Sequence, residues 1–121
     1  MGAITYLHAV NHTRQCTLAH EVRLADGFFS RLCGLLATPA RQFGSGCGLW
    51  IRPSRGIHMW GMRYPIDALY LDRQNRVVHV ERELQPWRLG AIRREAASVL
   101  ELPAGMAAQT QVGDAIRLGL P

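Results

Sequence analysis

The sequence predicts a small, single-domain, mainly β protein of the α+β kind, in which a barrel-like sheet of about seven strands packs against one helix near residues 27–37. Short β-forming runs follow one another at close spacing, which is typical of a small barrel or sandwich. Only one stretch shows helical periodicity. The chain of 121 residues is 48% hydrophobic and 19% charged, so residues 1–121 can bury one core without disulfides.

The first half of the chain contributes strands and the helix. The β-forming run at 3–10 predicts a strand, and residues 14–24 alternate enough to form one or two more. Asp26 offers an N-cap, after which apolar residues recur at helical spacing until Thr38 and Pro39 end the helix. The apolar face of this helix consists of Phe28, Leu32, Leu35 and Leu36.

The second half is predicted to be almost entirely strand and loop. Glycine-rich residues 40–48 and residues 85–95 are predicted to be loops. Strands are predicted over 48–53, 56–62, 67–73, 76–83, 97–103 and 114–120. The hairpin between 67–73 and 76–83 turns at Gln74 and Asn75, and one or two helical turns are expected at 104–111.

The formal net charge of +5 is carried by the first half of the chain. Residues 1–66 hold seven arginines against two acids, whereas residues 67–121 hold seven of each. A basic half is typical of proteins that bind nucleic acid, lipid headgroups or an acidic protein. A coding bias towards arginine is the alternative, since the chain has no lysine.

The number and spacing of the cysteines indicate the cellular compartment of the protein. Cys16, Cys33 and Cys47 are odd in number and widely spaced, which predicts reduced thiols rather than a disulfide framework or a zinc knuckle. The sequence has no run of about 18 apolar residues, and its start lacks the pattern of a signal peptide. We therefore expect a basic, soluble, cytoplasmic monomer or weak dimer with no membrane span.

The run from His58 to Met62 contains soft ligands that suit copper(I). His58 and Met59 are neighbours on a predicted strand, so their side chains point to opposite faces. We therefore expect the methionines to pack in the core, and we expect neither a metal site nor another cofactor.

The stretch 41–63 interleaves arginines with Phe43, Trp50 and Trp60. Single-strand nucleic-acid binders combine arginines on phosphates with aromatics that stack on bases. Strand alternation assigns one of the two faces to the core, so we expect at most weak binding without sequence specificity.

Two acids lie on strands that are otherwise apolar. Asp67 shares a face with Leu69 and Leu71, and Glu101 lies beside Val99. A carboxylate on a core face must be hydrogen-bonded or have a raised pKa. An acid–base pair is one interpretation. We favour the other, in which each acid caps backbone N–H groups and Asp67 holds the turn between the strands at 56–62 and 67–73.

The order of the motifs resembles the domain-of-unknown-function 192 family, a group of small bacterial and archaeal proteins. The blocks that carry the resemblance are FFSRLCGLL, GIHMWGMRYPIDALYLDRQNRVVHV, QPW, ASVLELPAG and VGDAIRL, and they cover about residues 20–118. The resemblance implies a compact, mostly β protein, with many relatives exported, and it implies no established reaction, substrate or cofactor. The family pattern falls on Arg31, Gly34, Leu35, His58, Met62, Pro65, Asp67, Asp72, Pro86, Trp87, Glu101, Gly105, Gly113 and Asp114.

We expect a non-enzymatic binding or accessory module for a protein or small-molecule ligand. The alternatives are a small enzyme with a cleft at His58 and Asp67, and a weak single-strand nucleic-acid binder that uses the basic region 41–63. The candidate cleft consists of Arg31, His58, Met62, Asp67, Trp87 and Glu101. Structural turns are expected at Pro65, Gly105, Gly113 and Asp114, the last because VGDAIRL also resembles the glycine-aspartate box of cradle-loop barrels.

Overall fold

The computed structural model describes residues 6–27, 35 and 38–120. In this part of the chain there are nine strands and one 3-10 turn, the latter at Ala40–Gln42. The strands are β1 (Leu7–Asn11), β2 (Cys16–Ala25), β3 (Cys47–Ile51), β4 (Gly56–His58), β5 (Ile66–Leu71), β6 (Val77–Leu84), β7 (Leu89–Ile92), β8 (Ser98–Pro103) and β9 (Ile116–Gly119). Seven of them form one sheet in the order β6-β5-β8-β3-β2-β1-β9, while β4 and β7 pair as a separate ribbon. The predicted mainly β fold with a seven-stranded sheet is confirmed.

The seven-stranded sheet curls until its two edge strands, β6 and β9, meet where they begin. Arg76 and Ala115 form an antiparallel bridge between them, and the N–H of Ile116 donates to the carbonyl of Asn75 at 2.9 Å. These bonds use backbone groups that an open edge would leave unpaired. The sheet is therefore a curled half-barrel, whose two edge strands are joined where they begin.

Alternate residues of the central strands face two different cores. Leu69, Leu71 and Leu100 belong to a cluster to which all seven strands of the sheet contribute, so this cluster fills the curl. Ile66 and Tyr70 lie on the other face of β5, in clusters that the ribbon and the loops cover. Both faces of β5 are covered, so every residue of this strand is buried, and all of them except Asp67 are apolar. Each fully buried leucine stabilises the fold by about 1.5–3 kcal/mol.

The hairpin between β5 and β6 turns at Gln74 and Asn75, as predicted. Asn75 has a left-handed backbone with φ 59°. Asp72 Oδ1 accepts hydrogen bonds from the N–H groups of Gln74 and Arg76, both at 2.9 Å. This aspartate therefore satisfies the turn's own donors.

Several boundaries differ from the prediction. Strand β7 lies within residues 85–95, which were expected to be a loop, and β4 ends at His58 although a strand over 56–62 was expected. Both strands are short and pair with each other, a contact that local sequence does not reveal. Residues 104–111 form turns rather than helical turns. The predicted helix at 27–37 falls largely on residues outside those that the structure describes.

Candidate functional site

Asp67 is buried and joins two segments that are distant in sequence. Its Oδ1 accepts a hydrogen bond from the N–H of Glu83 at 2.8 Å, and its Oδ2 accepts from the N–H groups of Gly105 at 3.0 Å and Ala107 at 2.8 Å. Asp67 thus caps backbone donors, but it was assigned to the wrong turn. It holds the end of β6 and the turn after β8, because its side chain points into the curl rather than towards the segment before β5.

Glu101 lies on the face of the sheet opposite to Asp67. Glu101 pairs with Ala68 of β5, whereas Asp67 pairs with Leu102 of β8, so the two carboxylates project to opposite sides. Glu101 is 6% exposed, and burial raises the pKa of its carboxyl to about 8. The structure does not bring the two acids together as an acid–base pair.

A cleft of about 310 Å³ lies near Glu101, between Leu35 and residues 38–40 on one side and residues 61–64 on the other. The hydroxyl of Tyr64 donates to the carbonyl of Thr38 at 3.0 Å across it. Burial, and next the negative charge of Glu101, raise the pKa of Tyr64 to about 12. Among the candidate residues Met62 lines this cleft.

The histidine and the methionines of the His58–Met62 run do not share a surface. His58 is exposed on β4, opposite Leu89. Met59 and Met62 are both buried. The imidazole and the two thioethers therefore do not converge as a soft-metal site would require. Arg31 lies outside the described residues.

The two-stranded ribbon and the two turns next to it carry large exposed apolar side chains. Trp60, Trp87, Leu89 and Ile92 are 46%, 61%, 68% and 77% exposed. The rings of Trp60 and Trp87 lie 6.2 Å apart between centroids, with their planes inclined by 48°, which is within the range of attractive aromatic pairs. We call this surface, together with the exposed His58, the tryptophan ribbon.

Cross-strand register explains why these side chains point outwards. Opposite residues of an antiparallel pair share a face, and His58 pairs with Leu89 while Gly56 pairs with Ile92. The register shifts between these two pairs, as in a β-bulge, so that Leu89 and Ile92 can share a face although they are three residues apart. Ile57 and Ala91 pack against the core on the inner side. If Leu89 and Ile92 pointed inwards, Ile57 and Ala91 would lose their contacts with the core.

Backbone hydrogen bonds join the segment of Trp87 to Met59, the neighbour of Trp60. The N–H of Trp87 donates to the carbonyl of Met59 at 2.7 Å, and the N–H of Met59 donates to the carbonyl of Arg88 at 2.8 Å. Trp87 also has a left-handed backbone, with φ 65°. This conformation costs a non-glycine residue about 1–3 kcal/mol and clusters at functional sites.

The segments that form and flank the ribbon hold the chain's excess of positive charge. Residues 52–65 and 85–95 contain six arginines and one acid, Glu95. Their net charge of +5 equals that of the whole chain, so the remaining residues are neutral in sum. The exposed arginines among them are Arg52, Arg55, Arg63, Arg88 and Arg94.

Asp114 anchors a buried polar network where the sheet closes. Its Oδ2 accepts hydrogen bonds from Asn11 Nδ2 at 2.9 Å, Arg14 Nε at 2.7 Å and the N–H of Gln111 at 2.9 Å. Burial opposes ionisation of Asp114, but these donors outweigh it and lower its pKa. The bond to Gln111 lies within the turn that precedes β9.

Of the other predicted turn residues, Gly105 and Gly113 lie in turns. Gly105 and Gly113 have φ of 95° and 96°, a conformation that favours glycine. Pro65 immediately precedes β5.

The tryptophan ribbon as a whole was not predicted. Trp87 was a candidate, but Trp60, Leu89 and Ile92 were not placed beside it. The signal available in the sequence was the cluster of arginines and apolar residues in 85–95, which lies next to 52–65 only in the folded chain.

Within the described residues, no helical segment has the length and hydrophobicity that crossing a membrane requires. The sequence matches the DUF192 family, described as "Uncharacterized ACR", over residues 9–118. A UPF0127 protein of Thermococcus sibiricus is 32% identical over 114 residues, which cover 88% of this chain and 71% of that protein. A UPF0127 protein of Pyrococcus horikoshii is 32% identical over 111 residues, which cover 89% and 96%.

Among solved structures, the fold is similar to that of a protein of unknown function from Novosphingobium aromaticivorans. The TM-score is 0.74 at 18% identity, and the match covers 92% of this chain and 82% of the other. At this identity the likeness shows the fold alone. The family match spans most of the sequence, and the chain therefore belongs to the DUF192 family.

Proposed function

We propose that the protein is a non-enzymatic binding module whose ligand-binding surface is the tryptophan ribbon. The observation that carries this proposal is the grouping of four large, exposed apolar side chains on one short ribbon. Contiguous apolar surface on a folded protein is typical of interaction sites. Tryptophan and arginine, which are abundant here, are the residue types that dominate binding energy at interfaces.

The charge of this region defines the ligand further. Because residues 52–65 and 85–95 hold the entire net charge of +5, they favour an anionic partner. The apolar side chains favour a partner that also buries apolar surface. The ligand is therefore both anionic and apolar.

The ribbon is also held ready to bind. The backbone of Trp87 is fixed by its bond to Met59, and β7 is hydrogen-bonded to side chains of the main sheet through Ala91. A surface that is ordered before binding loses less conformational entropy on binding.

The two alternative functions have weaker support. His58 lies on the outward face of the ribbon, whereas Asp67 lies in the core with both carboxylate oxygens accepting backbone hydrogen bonds. Phe43 and Trp50 are buried, so of the aromatics in 41–63 only Trp60 offers an exposed ring for stacking. The proposal retains the expected cytoplasmic location, which the free thiols of Cys16 and Cys47 support.

A dye that is both anionic and apolar, 8-anilinonaphthalene-1-sulfonate, tests the proposal. We expect the folded protein to bind the dye and to transfer energy to it from Trp60 and Trp87. The double variant Trp60→Ala/Trp87→Ala should lose most of the dye fluorescence, and Arg88→Gln should weaken it. Val112→Ala is the matched control, because Val112 is exposed but lies outside the ribbon.

The proposal is wrong if the folded protein does not bind the dye. It is equally wrong if the double tryptophan variant binds the dye as well as the parent while far-ultraviolet circular dichroism shows both to be folded.

A further inference from the structure

We infer that the partner of the tryptophan ribbon is the surface of an anionic lipid bilayer, an inference that rests on the proposed function. The ribbon presents aromatic and aliphatic side chains, and exposed arginines lie in the segments that form and flank it. These three kinds of side chain match the three layers that a bilayer surface offers: the headgroup boundary, the outer part of the acyl chains and the phosphates.

The aliphatic residues distinguish a bilayer from a nucleic acid. Leu89 and Ile92 are the most exposed apolar side chains of the ribbon, and neither has the π face on which a base stacks. Both gain free energy when they enter acyl chains, because the hydrophobic effect is proportional to the apolar area removed from water. Trp60 and Trp87 have amphipathic rings, which prefer the level of the headgroups.

The arginines supply the electrostatic part of the attraction. Arg55, Arg63 and Arg88 are exposed. Residues 27–66, which include Arg55 and Arg63, contain no acid, and residues 85–95, which include Arg88, contain three arginines and one acid. A guanidinium binds a lipid phosphate bidentately. Stable membrane attachment generally requires two signals together, and this ribbon combines apolar insertion with a basic patch.

The attachment of the ribbon to the barrel makes insertion feasible without unfolding. Ile57 and Ala91 pack on the core side of the ribbon, so the outward side chains can enter a bilayer while the inner contacts persist. The predicted depth of about 5–10 Å is that of an interfacial element.

Vesicle flotation of the full chain tests this inference. Vesicles of phosphatidylglycerol mixed with phosphatidylcholine should bind the protein, whereas vesicles of pure phosphatidylcholine should bind it far less. Binding should shift tryptophan emission to shorter wavelengths and should allow quenching by brominated lipids. Trp50 contributes a constant background, because it is buried and its indole N–H donates to Ser98 Oγ at 2.9 Å.

Variants assign the binding to the ribbon. Trp60→Ala/Trp87→Ala should lower partitioning into anionic vesicles by about tenfold or more, since each indole loses its burial in the interface. Arg88→Gln should lower it by about fivefold, the effect of one basic residue near an anionic surface. The matched controls are Val112→Ala and Arg117→Gln, two exposed positions outside the ribbon, and both should bind as the parent does.

Other results overturn the inference. If the dye binds at the tryptophans but anionic vesicles do not, the lipid partner is wrong and the binding surface stands. If single-stranded oligothymidylate binds through Trp60 and Trp87 and vesicles do not, the partner is a nucleic acid. If vesicles bind the double tryptophan variant as well as the parent, the lipid contact lies elsewhere on the protein.

Discussion

The carboxylate of Glu81 accepts a hydrogen bond from the backbone N–H of Ala91 at 2.9 Å. The carbonyl of the same alanine accepts a hydrogen bond from the buried hydroxyl of Tyr70 at 2.6 Å. Side chains of β5 and β6 therefore satisfy both backbone groups of a β7 residue, as a neighbouring strand would. This pair of contacts attaches the ribbon to the barrel without making it part of the seven-stranded sheet.

The close approach of β7 to Tyr70 predicts that Gly90→Ala destabilises the protein. A Cβ at Gly90 would lie 2.7 Å from the Tyr70 hydroxyl oxygen and 3.0 Å from Ile57 Cγ1. Overpacking of this kind costs about 1–3 kcal/mol. Denaturant unfolding measures the loss, and Gly44→Ala is the control because a Cβ there meets no atom within 4 Å.

Tyr70→Phe tests the same contact from the other side. Loss of the hydroxyl leaves the Ala91 carbonyl without this donor, at a cost of about 1–3 kcal/mol. In the Tyr70→Phe background Gly90→Ala should cost less than it does alone, since the shortest of the three close contacts is gone. Strictly additive losses would show that the hydroxyl and position 90 do not interact.

Asp67→Asn is expected to destabilise the protein by about 2 kcal/mol, because it replaces one charged acceptor by a donor facing backbone donors. The affected bonds are those from Glu83, Gly105 and Ala107. Urea unfolding of the two proteins measures the difference. Asp72→Asn should change stability less, since Asp72 uses only Oδ1, which asparagine retains. Equal midpoints for Asp67→Asn and the parent would contradict this role.

Because the pKa of Glu101 is raised, we expect the protein to lose stability as the pH rises. In the folded protein the carboxyl of Glu101 has a pKa of about 8, whereas a glutamate in the unfolded chain has a pKa of about 4.3. Between these values the folded state holds a proton that the unfolded state has released, so unfolding becomes easier with increasing pH. Glu101→Gln cannot titrate, and its stability relative to the parent should increase between pH 5 and pH 9 in urea titrations. Parallel pH profiles would be evidence against a protonated Glu101.

For Asp114 we expect the opposite dependence: below about pH 4, stability should fall as the pH falls. Its pKa is lowered in the folded state, so the unfolded state takes up its proton first as the pH falls. The stabilisation is complete above the pKa of an unfolded aspartate, about 3.9, and is lost as the pH falls through the folded value. When acid unfolding is followed by circular dichroism, the folded fraction should therefore fall less steeply with decreasing pH in Asp114→Asn than in the parent. A variant with unchanged steepness would show that another carboxylate controls this range.

Parts of the site could be predicted from the sequence, for reasons that are local. Strand alternation places Asp67 with Leu69 and Glu101 with Val99, and the register of the sheet agrees. The partners of Asp67 could not be predicted in this way, because Gly105 and Ala107 follow it by 38 and 40 residues. The same limit applies to Trp60 and Trp87, whose contact joins two loops.

The sequence by itself determined the strands of the main sheet and the hairpin turn at Asn75, because β-forming runs and turn residues act over a few neighbouring positions. Only the tertiary structure decided that the sheet curls until β6 meets β9, that Asp67 and Glu101 face opposite sides, and that β4 and β7 form an exposed ribbon. These features depend on pairing between segments far apart in the chain. Such pairing is selected by the packing of the whole core, which no single stretch of sequence contains.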